Sequence, residues 1–130
     1  MKQIRVLIVD DQESVRQSLR TILQLVDDIE VVGEARDGSE AVEQTKRLAP
    51  DVVLMDMKMA PSDGLSAAKS IREHSESVGV VMITMHHSDI ARGRAVEAGV
   101  DVFVEKGIAM EDLVDKIRHV YRKRRKKTIF

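Results

Sequence analysis

The strongest constraint on this chain is a pattern that recurs four times: a short run of β-branched and aliphatic residues that stops at a polar or charged one. Val6, Leu7, Ile8 and Val9 stop at Asp10 and Asp11, and Val52, Val53, Leu54 and Met55 stop at Asp56. Val80, Val81, Met82 and Ile83 stop at Thr84, and Val102, Phe103 and Val104 stop at Glu105 and Lys106. Uninterrupted apolar runs of this length read as strands covered on both faces, so the group ending each sits where the sheet meets solvent. Helical stretches separate the runs, which predicts parallel strands with all their carboxyl ends along one edge. Open α/β sheets bind ligands in the crevice at that edge. Three carboxylates, one hydroxyl and one ammonium are thereby brought together.

Taken in order, Ile4 to Val9 is the first strand, followed by a helix with Val15, Leu19, Ile22, Leu23 and Val26 as its core-facing stripe. Ile29 to Ala35 is a second strand whose Glu30 and Glu34 suit a place near the sheet edge. Asp37 and Gly38 read as a turn, before a helix with Ala41, Val42, Thr45 and Leu48 that Pro50 ends. The Asp56 strand leads into the loop 57–64 and a third helix through Leu65, Ala68 and Ile71. The helix after Thr84 carries Gly93 at its centre, at a cost of about 1 kcal/mol against Ala, and should be the least stable. A last helix aligns Leu113, Val114, Ile117, Val120 and Tyr121. Right-handed crossovers make the simplest topology an α/β, doubly wound, flavodoxin-like sheet of five parallel strands in the order 2-1-3-4-5, with helices on both faces.

Composition narrows the function. A chain of 130 residues reads as one domain with a single core, and the absence of Cys removes disulfides and thiolate metal sites. The apolar runs fall far short of the roughly twenty residues of a membrane helix, and no signal peptide is legible, so a cytoplasmic protein without membrane contact is expected. Net charge is −1, yet residues 122–127 are six consecutive cations, which leaves −7 on the rest. The expected organisation is a domain over residues 1–121 and a basic tail or linker to an absent output domain, 122–130, whose cations should be exposed and poorly ordered unless a neighbour extends the helix.

The chemistry follows from the edge. Asp10, Asp11 and Asp56 would repel one another unless a cation neutralised them, and hard oxygens without His or Cys nearby favour Mg²⁺. Lys106 and Thr84 are the groups that hold phosphoryl oxygens, and Asp56, central in the crevice, is the natural nucleophile for in-line attack.

With the acidic pair Asp10-Asp11, Asp56, Met59, Asp63-Gly64, Thr84, Ala98-Gly99, Phe103 and Lys106 in this order, residues 4–121 closely resemble the receiver domain of bacterial two-component response regulators. The spacing of Thr84 and Lys106 after Asp56 is most like receivers of helix-turn-helix transcription regulators of the LuxR/FixJ type. The resemblance implies a phosphoacceptor switch rather than an enzyme, in which Asp56 takes phosphate from a sensor histidine kinase. It implies that Asp11, Asp56 and the backbone carbonyl of Lys58 bind Mg²⁺ directly while Asp10 acts through water, that Lys106 anchors the phosphate, and that Thr84 and Phe103 are the switch pair. An output face on the fourth helix, fifth strand and fifth helix would support a homodimer, and DNA would be met only through the absent output domain. Two positions depart from the family: Ala60 and Gly107 stand where members commonly have Pro.

Other readings compete. A Mg²⁺-dependent phosphohydrolase with an aspartyl-phosphate intermediate wants a second Asp two residues after the nucleophile, and that residue is Lys58. A nucleotide-binding domain wants glycines where Asp10-Asp11-Gln12 stands. A stand-alone receiver acting through protein contacts is the remaining alternative. The adjacent His86 and His87 do not share a helix face and read as turn or cap residues. The seven Met read as core filler, with Met85 near the site mouth.

Overall fold

Five parallel strands and five helices alternate along the chain in this computed structural model, which describes residues 2–57, 64–85 and 89–128, with the backbone alone for 89–91 and 126–128. In chain order these are β1 (Ile4–Val9), α1 (Glu13–Leu23), β2 (Ile29–Ala35), α2 (Gly38–Leu48), β3 (Val52–Asp56), α3 (Gly64–His74), β4 (Gly79–Thr84), α4 (Asp89–Glu97), β5 (Val102–Glu105) and α5 (Met110–Thr128). The sheet order is β2-β1-β3-β4-β5, as expected, with β2 at an edge. Register pairs Val9 with Met55 and Asp56 with Ile83, so the ends of β1, β3 and β4 lie side by side.

Side chains of a strand alternate between faces, and each face has its own core. Leu7, Val9, Val53, Met55, Val80 and Met82 pack with Ala41 of α2 and Ala67, Ala68 and Ile71 of α3. Val6, Ile8, Val52, Leu54, Val81 and Val104 pack with Leu23 of α1 and with Leu113, Val114, Ile117 and Val120 of α5. This parity carries forward to the edge. Asp10, Asp56 and Lys106 continue the second set and Thr84 the first, so one sheet delivers them to one crevice from two faces.

Local choices differ from the sequence reading at several points. Asp37 is a helix cap rather than a turn residue: its side chain accepts from the Glu40 amide at 2.8 Å, and Glu40 accepts in return from the Arg36 amide. In α1 only Leu23 of the expected stripe is fully buried; Ile22 is 38% exposed, while the polar Arg16 is buried. Met55 and Met82 fill core, but Met85 is 69% exposed.

The basic tail is the largest correction. Expected to be poorly ordered from residue 122, it continues α5 as helix to Thr128. The reason is a buried acid. Asp101, just before β5, has a side chain 1% exposed, and Arg124 donates to it from Nε at 2.8 Å while also reaching the Glu76 carbonyl. Arg125 lies over the Tyr121 ring, one turn back. Lys123 also pairs with Asp101, so three cations of the run find partners on the domain, which offsets the repulsion within it.

Candidate functional site: an acidic cluster at the carboxyl edge of the sheet

The polar groups that end β1 and β3 meet where the strands run out. Asp10, Asp11 and Asp56 each bring a carboxylate oxygen into a set whose members all lie within 4.8 Å of one another. Asp10 and Asp56 are buried and Asp11 is exposed. Lys106, at the end of β5, holds its Nζ 3.6 Å from Asp56 Oδ2. Thr84 is buried at the end of β4, and its carbonyl accepts from the Lys106 amide at 2.7 Å, which ties the hydroxyl-bearing and ammonium-bearing strand ends together.

Electrostatically the cluster is under strain. Burial raises the Asp10 carboxyl above its ordinary value of 3.8; the Gln12 amide, donating to Oδ1 at 2.9 Å, opposes this, Asp56 adds to the rise, Lys106 lowers it and Asp11 adds again. Hard oxygen donors, crowded and partly desolvated, fit a small divalent cation, whose charge would offset their repulsion. Among the described residues no His or Cys belongs to this set, which disfavours zinc or copper there.

Two supports brace the cluster, of which the sequence reading singles out only Gly64. Arg16, on α1, donates from Nη1 to the Asp10 carbonyl at 2.7 Å and pairs through Nε with Glu34 of β2 at 3.1 Å, while Arg20 also pairs with Glu34. The pair Arg16 and Glu34 therefore braces the turn that presents Asp10 and Asp11. Helical spacing puts Arg16 beside Leu19 and Leu23 at the border of the apolar stripe, and only the second strand's approach reveals its role. Gly64 is the other. A Cβ on it would stand 2.3 Å from the Asp56 carbonyl oxygen and 3.0 Å from that of Met57, so the start of α3 can approach the end of β3 only without a side chain. Its amide donates to the Met57 carbonyl at 2.8 Å.

Phe103, in β5, is half-buried and packs against the core that Val9, Met55 and Met82 build, on the face to which Thr84 belongs by parity. Gly107, after Lys106, adopts φ +92°, a left-handed conformation that glycine enters without penalty. Lys58, Met59, Ala60, Pro61 and Asp63 lie outside the described residues, as do His86 and His87. Beneath the cluster, between α1 and the start of α5, is a cavity of about 250 Å³ floored by Leu54, Ile83 and Leu113 and reached by Asp10, Asp56 and Lys106. Among the described residues no helix is long and apolar enough to cross a membrane.

The chain is 37% identical over 118 residues to the response regulator protein VraR of Staphylococcus saprophyticus, covering 91% of this chain and 56% of that protein. It is 41% identical over 118 residues to the response regulator UvrY of Escherichia coli, covering 91% of this chain and 54% of UvrY. It therefore spans about half the length of these curated relatives. Among solved structures, it superimposes on a DNA-binding response regulator of the LuxR family from Staphylococcus aureus with a TM-score of 0.84 at 27% identity, covering 91% of this chain and 98% of that one. The model of the response regulator receiver domain matches residues 6–118, and the chain belongs to that family, a phosphorylation switch of two-component signalling with LuxR-family homologues.

Proposed function

We propose that Asp56 is the phosphoacceptor of this switch, that Mg²⁺ assists it, and that a sensor histidine kinase is the donor. One observation carries the reading: the carboxylate cluster of Asp10, Asp11 and Asp56 with the Lys106 ammonium 3.6 Å from Asp56, at the sheet edge where such folds bind ligands. A Mg²⁺ ion on Asp10, Asp11, Asp56 and the Lys58 carbonyl would neutralise charge on the incoming phosphoryl oxygens. An Asp56 oxygen attacks phosphorus as the bond to the donor's leaving atom breaks, giving an acyl phosphate. The Lys106 ammonium then faces a phosphoryl oxygen instead of a carboxylate. The Thr84 hydroxyl donates to another oxygen, moves inward, and opens space that the Phe103 ring fills.

In this reading residues 1–121 form the receiver and the basic segment after them leads to an output domain, with transcription regulation favoured by the LuxR-family relatives. The output face is α4, β5 and α5, acting through a symmetric dimer, in the cytoplasm. DNA would be contacted specifically only by the output domain.

The test is incubation with Mg²⁺ and acetyl phosphate. One acid-stable, hydroxylamine-labile phosphate should appear, be absent in Asp56→Asn, and depend on metal. Thr84→Ala should still take up the label but lose phosphate-dependent changes in amide exchange around α4 and β5. Label on Ser, Thr or His, or uptake unchanged by chelator, would overturn the assignment.

A further inference from the structure

At the amino edge of the sheet, opposite the phosphoacceptor, lies a second cavity of about 300 Å³, walled by the α2–β3 turn, the α3–β4 loop and the end of α5. Its charged lining is one-sided. Lys2, Lys46, Arg124 and Arg125 contribute cations and Asp51 the single carboxylate, which already accepts from the Arg5 amide at 2.9 Å. The wall behind it is no more neutral, for Asp101 is the carboxylate shared by Arg72, Lys123 and Arg124, three cations to one acid. Burial first, and then the neighbouring Arg124, lowers the Arg72 pKa, while Asp101 and Glu76 act to raise it. These cations gather on a domain whose remaining charge is acidic.

We infer that this cavity is a binding site for a small, multiply charged phosphate anion, of the diphosphate or bis-phosphate ester class. Cations arriving from separate elements, ahead of β1, on α2 and on α5, suit an anion with more than one charged group. The Ser75 and Ser77 hydroxyls, 3.1 Å apart in the wall, add donors for phosphoryl oxygens. The volume is at the lower end of small-ligand pockets, so a concave fit favours a free metabolite over the backbone of a nucleic acid, which needs an open face. Because Tyr121, Arg124 and Arg125 belong to α5, an occupant would tie the end of that helix to α2 and the α3–β4 loop.

The probe is inorganic pyrophosphate titrated into the ¹⁵N-labelled chain without divalent metal, with sulfate at matched ionic strength and a short DNA duplex as separate arms. Saturable shifts are expected at Lys46, Ser75 to Val78 and Tyr121 to Arg125, with the amides of Asp10 to Gln12 unmoved. The exposed pair Lys2→Glu with Lys46→Glu should weaken binding about tenfold or more at unchanged thermal stability, and the corresponding Gln pair should lose less. Shifts that never saturate, that sulfate reproduces, or that survive the charge reversal would overturn the site. So would a duplex that binds the same residues and is not displaced by pyrophosphate, which would mark an open phosphate-backbone surface instead.

Discussion

The two edges of this one sheet treat buried charge in opposite ways. At the carboxyl edge three carboxylates crowd within 4.8 Å and share one ammonium; at the amino edge one carboxylate, Asp101, collects Arg72, Lys123 and Arg124. Asp101 is also satisfied by the Val80 amide at 2.9 Å, so its oxygens are fully used in holding α3, β4, β5 and α5 together. At the acidic edge burial, first of all, raises the pKa of Asp10, and the Asp56 and Asp11 carboxylates add to the rise. One edge holds charge for cohesion. In the proposed function, the other keeps it available for a cation and a phosphoryl group.

The comparison is broken most directly by Asp101→Ala. Removing the acid leaves the Arg72 and Arg124 charges with backbone carbonyls but no carboxylate, a loss of about 3–5 kcal/mol for a buried pair, which urea unfolding would read as a large drop in midpoint. A cost under about 1 kcal/mol would place the cluster among solvent-screened surface pairs. Gly64→Ala is next. The added Cβ meets backbone oxygens that cannot rotate away, so the β3–α3 junction must shift, costing roughly 1–3 kcal/mol by overpacking and slowing phosphate uptake at Asp56 as well.

Asp10→Asn sharpens the comparison, because here loss of charge should stabilise. The variant keeps an oxygen for the Gln12 amide and removes the repulsion, so the metal-free protein should melt higher, while the stabilisation by added Mg²⁺ shrinks. The sign with pH follows. A carboxyl whose folded pKa lies above the unfolded 3.8 binds its proton more readily in the folded state. Its contribution therefore favours the fold increasingly as pH falls from above the folded pKa toward 3.8, and is absent above that window. Thermal melts of wild type and variant across this range should converge on acidification, and parallel curves would show that Asp10 is not the group responsible.

The smallest effect tests the region between the edges. A Cβ at Gly93 of α4 meets nothing within 4 Å, so Gly93→Ala should add about 0.5–1 kcal/mol by helix propensity alone. If α4 is the element biased by phosphate, the same change should narrow the difference in amide exchange between the two states.

Much of the molecule was legible because it is encoded locally. Four apolar runs specify strands, the helical stretches between them specify parallel crossovers, and parallel crossovers specify one edge for Asp10, Asp11, Asp56, Thr84 and Lys106. The resemblance of those residues to a known family needed no coordinates. The cap at Asp37 was also available, since Asp37 followed by Glu40 is a capping-box spacing. What sequence could not supply is pairing across long separations. Nothing in the sequence pairs Arg16 with Glu34 of a neighbouring strand or with the Asp10 carbonyl, yet it meets both. Nothing in it pairs Asp101 with Arg124, one cation in a run of six, yet 23 residues apart they close on each other. By itself the sequence determined the order of elements and the chemistry gathered at the carboxyl edge, because periodicity and strand termination are local properties. Only the tertiary structure decided which charges are neutralised and which remain strained, because that depends on partners from distant segments and on the water each burial excludes.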